Sequence, residues 1–155
     1  TSAIEVWFPT DMATGRDLLA TTQAALGLAQ HVPFASGYCS LAFNVEEAYE
    51  SAVWRDVTTP LAMRHPGMDL HITGLTASFV GDGVRGAYWL TLVGPAALRK
   101  LGLDASGLRE VLDDPAITVH ELAHGVAIRA GDELRACHDR ADELQDTTIE
   151  EKPYL

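Results

Sequence analysis

The segment HELAH, residues 120 to 124, has the H-E-x-x-H spacing that in metallopeptidases places two zinc ligands and a general base on one helix. On a helix, His120 and His124 would lie one turn apart on the same face, and Glu121 could activate a zinc-bound water. Glu143, further along the chain, is a candidate third ligand. The motif therefore raises the hypothesis of a zinc metallohydrolase.

The residues around this motif favour a β-hairpin over the helix that zinc would need. Pro115 precedes the motif, and Gly125 and Gly131 follow it at positions that weaken a helix. The flanking stretches ITV and VAI are rich in β-branched residues, which prefer strands. We therefore predict two adjacent strands over residues 115 to 130, with His124 and Gly125 in or just past the turn. This arrangement separates the two imidazoles.

No other catalytic template is evident. The chain contains neither a nucleophile elbow nor a P-loop. The glycines of GDGVRG, residues 81 to 86, are spaced as in a dinucleotide-binding loop, but they precede a predicted strand, whereas such a loop follows a strand and opens a helix. Asp113 and Asp114 are interpreted as part of a solvated loop. The sequence thus predicts a protein that is not an enzyme and that needs no cofactor.

The charge balance favours a basic partner. The 155 residues include 22 Asp and Glu against 11 Lys and Arg, a formal net charge of −11. Such a chain repels phosphate backbones and anionic lipid, so we expect no direct binding to nucleic acid or to membranes, although acidity can also serve solubility alone. Two cysteines, Cys39 and Cys137, are too few for a disulfide framework, so we expect free thiols in a reducing compartment, with one bond between them as the alternative. The absence of a long apolar run predicts a soluble protein. The sequence leaves the oligomeric state open, and a homo-oligomer is one of the possibilities.

Apolar periodicity predicts strands and helices in alternation within one domain, residues 1 to 155. The segment at 87–93 is the most apolar strand candidate, so we expect it to be central in its sheet, with Trp89 in the core. The fold class that follows is α+β, a single domain with a mixed or antiparallel sheet packed against helices. Strands are predicted at 3–8, 37–43, 68–73 and 87–93, and helices at 14–32, 44–54, 60–65, 95–102 and 106–114.

Several segments resemble, in their order and approximate spacing, a bacterial family of type VI immunity proteins, which are often encoded beside toxins with VRR-NUC-type nuclease domains. They extend from about Ile4 to Gly131, which is most of the chain. The pair RHPGMDL and GVRGAYWLTLVG carries the strongest resemblance. The segments are VWFPTDM, VPFASGYCSLAFN, PLAMRHPGMDL, GVRGAYWLTLVGPAALRKLG and GVAIRAG.

The resemblance implies a cytoplasmic immunity protein that occludes a cognate type VI nuclease effector and so protects the producing cell. The acidity agrees with this role, because a nuclease holds nucleic acid in a basic cleft that carboxylates can also occupy. Two departures from the family pattern are expected. Members carry a further N-terminal portion with no evident counterpart here, and the acidic tail, residues 132–155, fits the family pattern poorly.

The predicted partner-binding residues form an acidic group with an aromatic neighbour. The three acids Glu46, Glu47 and Glu50 share the exposed face of a predicted helix, and Trp54 follows Glu50 by one turn. This arrangement would place carboxylates beside an aromatic side chain that could anchor a partner. The alternative is that the acids only complement the helix dipole and that Trp54 is core. The acidic tail is the rival partner-binding patch.

Overall fold

In a computed structural model, the structure of the chain is described for residues 3–9, 12, 15–43, 68–70 and 79–132. The described residues form both helices and strands, and the predicted helices at 44–54 and 60–65 lie outside them. In chain order the elements are α1 (Gly15–His31), β1 (Ser36–Cys39), β2 (Leu41–Phe43), β3 (Met68–Leu70), β4 (Leu90–Val93), α2 (Pro95–Leu101), α3 (Ala105–Val111), β5 (Ile117–Leu122) and β6 (Gly125–Ala130).

Four of the strands form one antiparallel sheet in the order β1-β4-β6-β5. The apolar strand β4 lies between two neighbours, which confirms that it is central. The predicted strand at 37–43 is divided at Ser40, because β2 leaves this sheet and pairs in parallel with β3. The α+β fold class is confirmed, with the helices packed against the sheet.

The predicted strand at residues 3–8 does not form. These residues have no regular secondary structure, and they are exposed, with Ile4 at 64% and Val6 at 57% of full accessibility. Branched and aromatic residues favour a strand only where a neighbouring strand and a buried face are available. No described strand pairs with this segment, so the local preference is not realised.

One face of the four-stranded sheet packs against α1. The buried residues there are Leu18 of α1, Trp89 and Leu90 at the start of β4, and Ala127 of β6. Leu90 and Ala127 are fully buried, and Trp89, at 1% exposure, belongs to the same cluster as Leu18 of the helix. Helix α1 therefore covers the centre of the sheet.

The opposite face packs against α2 and α3. Val93 of β4 and Val126 of β6 contact Ala97 and Leu108, the buried residues of the two helices. The local sequence sets the helix limits, although α3 ends at Val111 and not at residue 114 as predicted. Pro95 occupies the first turn of α2, Gly102 ends it in the left-handed conformation, and the Asp104 carboxylate caps α3 by accepting from the Gly107 amide at 2.8 Å.

The ends of three strands meet at two glycines. A Cβ on Gly125 would overlap the carbonyl oxygen of Val93, and a Cβ on Gly94 would overlap that of Ala35. Gly125 also has φ 147°, a value that other residues rarely adopt. These contacts bring the start of β6 directly against the end of β4, and they fix where the β5–β6 hairpin turns.

Trp89→Ala is expected to lower the free energy of unfolding by about 3–5 kcal/mol, because Trp89 is 1% exposed and its loss leaves a cavity under α1. Chemical denaturation measures the change. Leu101→Ala is the matched surface control, since Leu101 is 59% exposed, and its effect should stay within about 0.5 kcal/mol. Equal stabilities for the two variants would contradict the placement of Trp89 in the core.

Candidate partner-binding surface

Several predicted site residues lie outside the described part of the chain. The structure describes the acidic tail only at Asp132, its first residue, whose carboxylate pairs with Arg129 at 2.7 Å. The predicted partner-binding group and the candidate third zinc ligand are not described. These residues are Glu46, Glu47, Glu50, Trp54 and Glu143.

The H-E-x-x-H segment forms the β-hairpin that the sequence predicts. Strand β5 ends at Leu122 and β6 begins at Gly125, so the turn contains only Ala123 and His124. The side-chain oxygen of Gln30, near the end of α1, accepts from the Ala123 amide at 3.2 Å and ties the turn to that helix.

The helical zinc geometry of the alternative hypothesis is wrong. His120 lies within β5 and His124 lies in the turn, so the two imidazoles do not share a helical face. β-Branched residues on both strands and the contacts of Gly125 stabilise the hairpin here. No group of three or more metal-ligating side chains is present among the described residues.

His120 is a partly buried side chain on the α1 face of the sheet, opposite Ala127. Its Nε2 atom is buried without a hydrogen-bond partner among the described residues. Burial, with smaller contributions from Arg129 and Arg109, lowers the pKa of His120 below its usual value. The imidazole therefore stays neutral at physiological pH and serves packing.

Glu121 lies on the other face of the sheet, opposite Val126, and it connects β5 to α3. The Arg109 guanidinium donates to the Glu121 carboxylate at 2.9 Å and to the Val119 carbonyl oxygen at 3.3 Å. Both charged side chains are exposed, at 48% and 65%, so the pair adds little stability. Its main effect is to hold Arg109 across the outer edge of β5.

A groove of about 240 Å³ lies between the end of α3 and β5. Its lining combines apolar side chains with Arg109 and with the exposed carboxylates of Asp113 and Asp114. The exposure of both aspartates agrees with the solvated loop predicted from sequence, but the groove beside them was not predicted. The lining residues are Arg109, Leu112, Asp113, Asp114, Pro115, Ile117 and Val119.

A second polar cluster is largely buried and joins β1, β3 and the loop before β4. Asp69 accepts from the Tyr38 hydroxyl at 2.5 Å, from Arg85 at 2.9 Å and from the Tyr88 hydroxyl at 3.3 Å. Arg85 also donates to the Tyr38 hydroxyl at 2.7 Å. The two tyrosine rings stack with centroids 4.2 Å apart. The cluster thus fixes β3 and the glycine-rich loop against the sheet.

Burial governs the ionisation of both tyrosines in this cluster. It raises the pKa of Tyr88 to about 12, and the charge of Asp69 acts in the same direction. Burial and the hydrogen bond to Asp69 also raise the pKa of Tyr38. The Asp69 and Arg85 side chains are only 5% and 18% exposed, so removing either charge would leave the other uncompensated. These properties indicate a structural role.

Comparison with protein families identifies the chain. The family model described as type VI immunity for VRR-NUC matches residues 1–146, nearly the whole chain. The chain belongs to this family. Membership confirms the predicted function, immunity toward a VRR-NUC nuclease effector of type VI secretion. No curated protein and no solved structure matches the chain.

The match to the type VI immunity family corrects one expectation about the tail. The resemblance was expected to end near Gly131, with a poor fit over residues 132–155, but the family match continues to residue 146. The family match therefore includes most of the acidic tail. Among the described residues, no helix has the length and apolar character needed to span a membrane.

The free energy of unfolding is expected to fall as the pH rises from 10 towards about 12. In this range unfolded chains release the Tyr88 proton while the folded protein still holds it, so rising pH favours the unfolded state. Tyr88→Phe removes this contribution but keeps the ring, and should weaken the pH dependence measured by denaturant titration. An unchanged dependence in Tyr88→Phe would show that Tyr88 ionises equally in both states.

Proposed function

We propose that this immunity protein neutralises its effector by binding the nuclease directly, as a non-enzymatic inhibitor whose carboxylates cover the nucleic-acid-binding cleft. The observation that carries the proposal is the net charge of −11 on a chain of the VRR-NUC immunity family. A nuclease cleft attracts phosphates with positive charge, and an acidic surface competes for the same charge.

The described surface offers carboxylates that are available for such contacts. Glu110, Asp113, Asp114 and Glu121 are exposed around α3 and β5. The one cation among them, Arg109, is paired with Glu121. This part of the surface therefore keeps a negative balance, which supports binding to a basic protein surface and opposes binding to nucleic acid.

Two further acidic patches belong to the same proposal. The first is the group of Glu46, Glu47 and Glu50 with Trp54 as its aromatic anchor, and the second is the tail from Asp132 onward. We also place the protein in the cytoplasm, where the nuclease would meet the nucleic acid of the cell. Long-range attraction between the acidic inhibitor and a basic cleft would speed their encounter, which matters when the toxin must be captured before it cuts.

The purified chain is expected to bind the VRR-NUC domain of its effector and to inhibit cleavage of nucleic acid at stoichiometric concentrations. The association rate constant, measured by stopped-flow fluorescence, should fall as salt is added, because salt screens the attraction between opposite charges. Failure to bind or inhibit would contradict the proposal. Binding with a salt-independent association rate would contradict its electrostatic part.

Glu46→Lys, Glu47→Lys and Glu50→Lys, combined, are expected to slow association at low salt by about tenfold or more and to flatten its salt dependence. The melting temperature should change little, since the three side chains are predicted to be exposed. The matched control reverses Asp142, Glu143 and Asp146 to Lys, which changes the net charge equally.

Comparing the two triple variants shows whether the Glu46 group or the acidic tail contacts the nuclease. A larger effect from the first triple supports the Glu46 group as the contact. Association at the wild-type rate in that triple would exclude the group and assign the contact to another acidic patch.

A further inference from the structure

The outer edge of β5 and the adjacent groove form a second potential contact surface. We propose that an extended basic segment of the nuclease partner pairs with the β5 edge and inserts a Lys or Arg side chain into the groove between α3 and β5. This inference rests on the proposed function, because it names the surface through which direct binding occurs.

The hydrogen bonds around β6 show which backbone groups of β5 face outward. The Ala130 amide donates to the Trp89 carbonyl oxygen at 2.8 Å, so residue 130 directs its backbone groups toward β4. Its partner in the hairpin register, Ile117, must therefore direct its backbone groups away from β6. Along an antiparallel ladder, hydrogen-bonded pairs alternate with pairs that are not hydrogen-bonded to each other. The backbone groups of Val119 and Glu121 therefore also face away from β6.

Two further contacts agree with this orientation. The Ile117 amide donates to the Asp114 carbonyl oxygen at 2.9 Å, and the Val119 carbonyl oxygen accepts from Arg109. Both partners lie on the side of β5 away from β6. The alternation is therefore established at two of the three outward-facing residues.

Within the described ranges, nothing pairs with the remaining outward-facing donors of β5. Strand β5 is the last strand of the sheet, and the amides of Val119 and Glu121 have no hydrogen-bond partner among the described residues. Arg109 covers the Val119 carbonyl oxygen through a contact of 3.3 Å from an exposed side chain. Such a contact is weak enough to be displaced when a strand pairs with the edge.

The groove beside this edge suits a long basic side chain. Its apolar walls, formed by Leu112, Ile117 and Val119, would pack against the methylene groups of a Lys or Arg. The exposed carboxylates of Asp113 and Asp114 also line the groove, where they would pair with the charged end of that side chain. The volume of about 240 Å³ is more than one such side chain needs, so the groove can accept it without rearrangement of its walls.

The negative charge of this surface favours a basic segment of the partner over a second copy of the chain. The edge and groove carry the carboxylates of Asp113, Asp114 and Glu121 against the single guanidinium of Arg109. A second copy of this acidic chain would bring like charges together, whereas a basic segment would complement them. In strand addition the main chain supplies affinity and the side-chain pocket supplies specificity, and both are present here.

Hydrogen–deuterium exchange of the wild-type chain, alone and with the purified VRR-NUC domain, tests the backbone part of the inference. The amides of Val119 and Glu121 should exchange at least about tenfold more slowly in the complex, because they gain hydrogen-bond partners. The amides of Thr118 and His120 face β6 and should already be protected in the free chain, which makes them internal controls.

Calorimetric titration of variants tests the groove. Asp113→Asn combined with Asp114→Asn should raise the Kd for the VRR-NUC domain by about tenfold, through loss of charge-assisted hydrogen bonds. Asn keeps the side-chain oxygen that accepts from the Ala116 amide, so the turn should persist. The matched control, Asp17→Asn with Asp82→Asn, removes two exposed carboxylates elsewhere and should change the Kd by less than about twofold.

The outcomes separate this inference from the proposed function. If the wild-type chain does not bind the VRR-NUC domain, the proposed function fails. If it binds while the Val119 and Glu121 amides exchange as in the free chain, or the groove variant binds as tightly as its control, the edge is not the contact and the inference is overturned. Protection of the two amides by self-association of the chain alone would also overturn it, because a second copy would then occupy the edge.

Discussion

The close approach of Gly125 to the end of β4 is the constraint on which the arrangement of the sheet depends. With no side chain at Gly125, the start of β6 lies directly against the Val93 carbonyl oxygen. The chain must therefore turn immediately before this residue, and β5 and β6 pair in a single register. That register decides the environment of each side chain in the HELAH segment, directing His120 toward α1 and Glu121 toward α3.

The central strands are covered on both faces, and this covering determines which surfaces can meet a partner. Trp89, Leu90 and Ala127 are buried under α1, while Val93 and Val126 are buried under α2 and α3. Neither face of the sheet centre is available for binding. Within the described part of the chain, contacts must therefore use the sheet edges, the outer sides of the helices and the loops. On the α3 side these surfaces carry the exposed carboxylates of Glu110, Asp113, Asp114 and Glu121.

The sequence predicted the elements whose signals are local. Pro95 and Gly102 mark the limits of α2, and the β-branched residues around Gly125 predict the hairpin, because these signals act within a few residues of the structure they determine. The predicted strand at residues 3–8 is wrong because strand formation also requires a neighbour.

The buried cluster of Tyr38, Asp69, Arg85 and Tyr88 could not be predicted from local signals. Its members are separated by up to 50 positions along the chain, and only tertiary structure brings them together. All four lie in segments that resemble the immunity family, which was the one available indication of a shared role. The groove at Asp113 and Asp114 was missed for a related reason, since its walls come from both α3 and β5.

The family match establishes immunity toward a VRR-NUC effector, and the acidic surface suggests how that immunity is achieved. The central claim is that the inhibitor and the nucleic acid occupy the same cleft of the nuclease. A catalytically inactive VRR-NUC domain bound to a fluorescently labelled oligonucleotide tests it, with fluorescence anisotropy followed as the immunity protein is added. The account predicts complete release of the oligonucleotide, with an apparent Kd for the inhibitor that rises in proportion to the oligonucleotide concentration. A stable ternary complex that retains the oligonucleotide would contradict it.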